Sequence, residues 1–184
     1  MERTRLIFKG VTGLVGTDEM GLITLTDVEE RRQLTVACDK AMMREFALRQ
    51  SHAPIIGRLL PEVLWHVVAI QAKMEFEVLI TDVIEGQYRA LLLNTKTREP
   101  VAIRLSDAVL LAYIARLPIY VDSQLMEKQS TPYDKEARNV AIPMNTLSNK
   151  MLLEAFDKAV EEEKYELASR LRDEIRRRKL NDPS

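Results

Sequence analysis

The chain has 184 residues, 46% of them hydrophobic and 30% charged, with 27 Lys and Arg against 28 Asp and Glu. That composition suits a globular protein of one domain, or one domain with a small appendage, and argues against long disorder. The formal net charge of −1, balanced on both sides of residue 148, excludes a basic arm of the kind that carries tight non-specific DNA binding. No apolar run is long enough to span a membrane, and the opening MERTRLIFKG lacks the apolar core of a secretory signal. A single cysteine, Cys38, excludes an intramolecular disulfide and a Cys-rich zinc site. These features lead us to expect a cytoplasmic protein with no membrane association.

In chain order, RLIFKGVTGLVG and GLITLTDV read as strands separated by GTDEMG. QLTVAC is a third strand, with Leu34, Val36 and Cys38 on one side by the two-residue alternation of a strand. Asp39 offers an N-cap for the amphipathic run KAMMREFALRQ, and Pro61 opens a second helix with Leu64, Val67, Val68 and Gln71 on one face. MEFEVLITDVIEG, QYRALLLNT and VAIRL form an antiparallel meander. Ser106 begins a third helix, and PIYVD follows it as a short strand. Strands grouped around inserted helices predict an α+β fold with a mixed, mostly antiparallel sheet and about three helices. The pattern then dissolves between Ser123 and Leu147.

Two apolar stripes close the chain: Leu152, Phe156, Ala159 and Val160, then Tyr165, Ala168, Leu171 and Ile175. In one continuous helix Tyr165 would sit roughly 180° from Phe156, at about 100° per residue. The phase break predicts two helices turning near Glu163–Lys164, although neither Gly nor Pro marks the turn and a single long helix is the alternative. Glu162, Glu163 and Glu166 at the start of the second helix and Arg176 to Lys179 at its end suit the helix dipole. The expected organisation is a domain over residues 1–125, a linker over 126–147 and a helical hairpin over 148–180.

The stretch EAFDKAVEEEKYELASRLRDEIRRRK resembles the UVR motif, a helical hairpin of nucleotide-excision-repair proteins and of some partners of stress proteases. Ala159, Tyr165, Glu166, Ala168, Leu171, Arg172, Asp173 and Ile175 match its pattern. The resemblance implies a link to DNA repair and docking to a partner protein or to itself, through Phe156, Tyr165, Ala168, Leu171, Arg172, Asp173 and Ile175. RLSDAVLLAYIARLPIYV is similar to the signature of the bifunctional nuclease family, in which Arg-Pro-Ser-Asp-Ala precedes a helix and Pro-Ile-Tyr-Val follows it. Arg104, Ser106, Asp107, Ala108, Pro118, Ile119 and Val121 fit, and Leu105 replaces the family's proline. This second resemblance implies an oligomeric α+β domain with nuclease activity on DNA or RNA. One departure stands out: Ile56, Gly57 and Arg58 occupy the place of the family's Thr-His-Asp.

Metal-assisted phosphodiester hydrolysis needs carboxylates around Mg²⁺ or Mn²⁺, because hard cations prefer oxygen donors. Asp82, Asp107 and Asp122 sit near strand or helix ends and are the candidate metal ligands. Asp107, Ser106 and Arg104 are the candidate catalytic residues, with Arg104 a phosphate holder beside a helix N-terminus. The competing reading makes Ser106 the N-cap and Asp107 the first-turn acid of the third helix, and Arg104 a surface charge. His66 reads as a partly buried structural imidazole, and His52 as a substitute for the missing histidine or a plain loop residue. Two functions follow: a metal-dependent nuclease docked through its hairpin, or a non-catalytic oligomeric adaptor whose hairpin recruits a partner.

Overall fold

The computed structural model describes residues 2–13, 20–84, 86–135, 149–178 and 180. Its strands are β1 (Arg3–Gly13), β2 (Met20–Asp27), β3 (Arg32–Asp39), β4 (Phe76–Ile84), β5 (Gln87–Asn94), β6 (Pro100–Arg104), β7 (Ile119–Asp122) and β8 (Thr131–Pro132). The helices are α1 (Lys40–Gln50), α2 (Leu60–His66, continued by a π-turn over Val67–Gln71), α3 (Leu105–Ala115), α4 (Ser123–Gln129), α5 (Asn149–Glu161) and α6 (Tyr165–Arg177). The chain divides into two compact units, Met1–Asp82 with Tyr88–Ala137, and Val83–Gln87 with Arg138–Ser184. The class is α+β, as the alternation of strand and helix patterns predicts.

All eight strands join one sheet in the order β6-β5-β4-β7-β1-β2-β3-β8. It is mixed: β4 and β7 run parallel, with Val78 opposite Ile119, whereas β1–β2, β2–β3, β1–β7 and β5–β6 are antiparallel. A bulge between Phe8 and Gly10 shifts the β1–β2 register, and bulges add twist to a strand. The side chain of Arg104, at the end of the edge strand β6, reaches that of Asp39, at the end of β3 near the opposite edge. Leu34, Val36 and Cys38 of β3 are buried together, in the core with Leu25, Phe46, Val78, Ile80 and Val109. Phe8 stacks on Phe46 with centroids 5.0 Å apart, and Tyr113 meets both rings edge-on, a geometry that aromatic quadrupoles favour.

Asp39 caps α1 as the sequence predicts, its Oδ1 accepting from the Met42 N–H at 2.8 Å. Near the other end of α1 the Arg49 side chain is only 2% exposed, and its guanidinium donates to Glu62 Oε1 and Oε2 at 2.7 and 3.0 Å and to Glu45 Oε2 at 2.6 Å. Burial works against charge on Arg49, but the bonds to Glu62 and Glu45 more than offset it and hold its pKa above the ordinary value. This buried pair fastens α2 to α1, and Trp65 fastens it edge-on to Phe76.

Three details depart from the expectations. Residues 123–132 are not irregular: Asp122 caps α4, Leu125 and Met126 are buried, and β8 pairs with β3 through Arg32–Pro132 and Gln33–Thr131. Two buried apolar side chains, rather than a sustained stripe, hold that short helix down. The remainder of the expected linker, 136–147, the first residue of the expected hairpin, 148, and the GTDEMG segment up to Glu19 lie outside the described residues. α3 begins at Leu105 with Arg104 in the N-cap position and no side-chain cap; Ser106 lies inside the first turn. His66 is exposed rather than buried, because α2 turns Trp65 and not its neighbour toward the sheet.

Candidate functional site

A cluster forms from two distant points of the unit, the junction of β6 with α3 and the end of β3. Arg104, where β6 hands over to α3, donates from Nε to Asp107 Oδ2 at 2.8 Å and from Nη2 to Asp107 Oδ1 at 3.0 Å. This two-pronged pairing is the strong form of an arginine–carboxylate contact. Its remaining Nη1 donates to Asp39 Oδ2 at 3.3 Å, across 65 residues of sequence. The side chains of Arg104, Asp39 and Asp107 are 59%, 52% and 43% exposed, so the cluster is open to solvent. Hydrogen bonding to Asp107 is the main cause that raises the Arg104 pKa, against the pull of partial burial.

Two carboxylates around one guanidinium leave a net negative charge and a fork shaped for planar oxyanions. Beneath them, burial first and the Asp39 charge second push the Cys38 thiol up to about 11, so this cysteine is a core residue and not a nucleophile.

Of the residues singled out from sequence, the structure brings Arg104 and Asp107 together and adds Asp39. Ser106 is 4% exposed and is not presented at the surface with them. Asp122 is occupied as the cap of α4, accepting from the Gln124 and Leu125 N–H groups at 3.1 Å each. Among the described residues no group of three or more His, Cys, Asp or Glu is placed to hold a metal ion, so Asp82, Asp107 and Asp122 do not converge. His52 lies exposed with φ +53°, its Nδ1 2.9 Å from the Gln50 carbonyl, and Ile56–Arg58 form a 3₁₀ turn. Asp39 was legible in sequence only as a helix cap. Its second role depends on a contact that no local pattern encodes.

In the second unit α5 and α6 form a hairpin around Leu152, Ala159, Ala168, Leu171 and Ile175, with Phe156 packed at its side. Glu163 turns the chain with φ +57°, which does the work usually left to glycine. Ala168, Leu171 and Ile175 are therefore spent on the hairpin's own core and are not free to dock. Tyr165 is 70% exposed and shares an outward face with Arg172, seven residues on; Asp173 is also exposed, as are Val160 and Leu167.

The family model for the bifunctional nuclease domain matches residues 23–134, more than half of the chain. The chain belongs to the bifunctional nuclease domain family. A UvrB/uvrC motif matches residues 157–179, from within α5 to the end of α6, in the order that the sequence resemblances suggest. No curated protein matches the chain. Asp39, Arg104 and Asp107 all fall within the bifunctional nuclease match, which runs past α4 and ends just after β8.

Proposed function

We propose that this bifunctional nuclease domain hydrolyses phosphodiesters of DNA or RNA at the Asp39–Arg104–Asp107 cluster, while the UvrB/uvrC-type hairpin docks a protein partner. One observation carries the reading: Arg104 and Asp107 of the family signature lie open to solvent with a second carboxylate, Asp39, in reach. Asp39 and Asp107 offer two hard oxygen donors, as many as Mg²⁺ commonly takes from protein when substrate phosphates and water complete its shell. Mg²⁺ or Mn²⁺ held there would neutralise phosphate charge and acidify a bound water. Arg104 exchanges its carboxylate contacts for the non-bridging oxygens of the scissile phosphate, which its planar fork fits. The freed Asp107 Oδ2 accepts the proton of the water whose oxygen attacks phosphorus; the P–O ester bond breaks and the leaving oxygen takes a proton from solvent.

Docking would use the exposed face of α6 that carries Tyr165 and Arg172. Self-association would use α2. Leu60, Val63, Leu64, Val67 and Ile70 are all at least 41% exposed, and Leu60, Val63, Val67 and Ile70 recur at the alternating three- and four-residue spacing of a helix–helix seam. A patch of this kind is self-complementary across a two-fold axis, and the nearby Glu62 is already neutralised by Arg49, so two copies meet without like-charge repulsion.

A second reading has its own support. Arg104 is saturated by both carboxylates, which suits a structural tie in a non-catalytic oligomeric adaptor. The experiment that separates them is cleavage of labelled single-stranded DNA, duplex DNA and RNA with Mg²⁺, Mn²⁺ or EDTA. A nuclease cleaves only with metal, and Asp107→Asn lowers the rate about 100-fold or more. Absence of metal-dependent cleavage in the wild type, or equal rates in the variant, would leave the adaptor.

A further inference from the structure

The pairing of β7 with β1 stops at Leu6–Ile119, although β1 continues to Gly13. Beyond that point the sheet has a notch, and the chain that leaves α3 for β7 borders it. The notch is a groove of about 280 Å³ lined by Phe8, Tyr113, Pro118 and the two arginines Arg5 and Arg116, among others. That volume is close to the lower end of small-ligand sites, about 300 Å³, and suits one flat unit rather than an extended surface.

Its chemistry is particular. Tyr113 is 37% exposed while its ring is braced edge-on by Phe8 and Phe46, so a rigid aromatic surface is presented to the groove. Arg5 and Arg116 are exposed, and neither guanidinium has a hydrogen-bond or ion-pair partner among the described residues. Six of the nine other arginines of the same unit are tied up: Arg3 and Arg98 on Glu77, Arg31 on Glu29, Arg32 on Ser130, Arg49 on Glu62 and Arg104 on Asp107. Arg116 is the C-cap of α3, in a left-handed conformation with φ +54°, where the helix dipole also favours its charge. An apolar, aromatic floor flanked by two uncommitted guanidiniums matches a base between two phosphates. Aromatic stacking accepts any base, and arginine fits the phosphate oxygens.

We propose that this groove binds one nucleotide unit of a single-stranded nucleic acid, its base on Tyr113 and its flanking phosphates on Arg5 and Arg116. The inference rests on the nucleic-acid reading above and extends it. Tyr113 lies six residues beyond Asp107 along α3, about 9 Å of axis and roughly 120° around it. A duplex is excluded, because its bases are stacked and cannot enter a groove of one unit.

The test is binding, measured in EDTA so that no cleavage intervenes. Anisotropy of labelled oligo-dT and oligo-U is followed with the full chain over a salt series. The double variant Arg5→Gln/Arg116→Asn should bind at least tenfold more weakly, with the slope of log K against log salt reduced by about 1.4, the contribution of two phosphate contacts to a single strand. Tyr113→Leu should lose about fivefold or more and Tyr113→Phe should bind as the wild type does, since only the ring is used. Melting curves of every variant establish that the fold is kept. Double-variant binding within twofold of wild type, an unchanged salt slope, or tighter binding of duplex than of single strands would each overturn the proposal. Binding that behaves as expected in a chain that never cleaves would refute hydrolysis and leave the groove standing.

Discussion

The Arg49–Glu62 pair offers a sharp test of how α2 is held. Arg49 has a 2% exposed side chain and Glu62 a 13% exposed one, and two parallel hydrogen bonds join them. Glu45, the other carboxylate on Arg49, is 45% exposed and can return to water at little cost. Glu62→Leu therefore strands a buried guanidinium beside one half-solvated acid, and Arg49→Met strands a buried carboxylate. Each single change should cost about 3–5 kcal/mol, the penalty for breaking a buried pair from one side. At about 2–8 °C per kcal/mol for domains of this size range, melting should fall by roughly 6 °C or more. The double variant removes both charges and should recover most of the loss, because apolar replacement of a complete buried pair is often neutral or stabilising. Thermal unfolding of the four proteins closes a double-mutant cycle, and the coupling energy should be about 3 kcal/mol or larger. A coupling below about 1 kcal/mol, the range of solvent-exposed pairs, would refute the argument that burial makes this contact matter.

Other outcomes are as definite. Val67→Glu introduces a charge at the centre of the exposed α2 seam, and light scattering should show a smaller assembly than the wild type with the monomer fold intact; an unchanged mass would remove α2 as the self-association face. Cys38 should resist iodoacetamide at pH 8.5 in the folded chain and react fully in denaturant, since burial raises its pKa from 9.0 to about 11; rapid labelling of native protein would contradict its place in the core. Glu174 is held below its ordinary pKa of 4.5, chiefly by hydrogen bonding to Arg177 and then, after the opposing effect of burial, to Arg178. A depressed carboxylate stabilises the fold above the unfolded pKa and ceases to do so as pH falls through the folded one. Amide-exchange protection of α5 and α6 should therefore drop below about pH 4.5, and Glu174→Gln should flatten that dependence.

Local pattern was enough for the strands, whose apolar and β-branched runs are bounded by turn residues, and for the hairpin, because a roughly 180° phase jump between stripes favours a turn over one long helix. It failed where a contact spans distant segments. Ser106 is the better N-cap by intrinsic preference, yet the helix starts two residues earlier, with Arg104 in the cap position. Leu105 and Ser106 are both buried in the first turn, so core packing overrode capping preference and left Arg104 at the boundary. That shift has a functional consequence. With Arg104 at the N-cap position and Asp107 three residues later, the two side chains lie on the same edge of the first turn and pair. Arg104 is at the same time the last residue of β6, so the junction of strand and helix sets the pair.

The same reasoning explains why Asp39 escaped a functional reading. Its sequence neighbourhood asks only for a helix cap, and one oxygen suffices for that. The second oxygen accepts from Arg104, a residue 65 positions away that no local pattern brings to it. A carboxylate that caps with one oxygen and binds with the other is fixed in place before any substrate arrives, which lowers the cost of orienting it. Asp39→Asn separates the two jobs. The amide oxygen still caps α1, so the fold should survive nearly intact, while the charge facing Arg104 is gone. If Asp39 is only a cap, cleavage by the variant should match the wild type; if it belongs to the site, cleavage should fall with a melting temperature that barely moves.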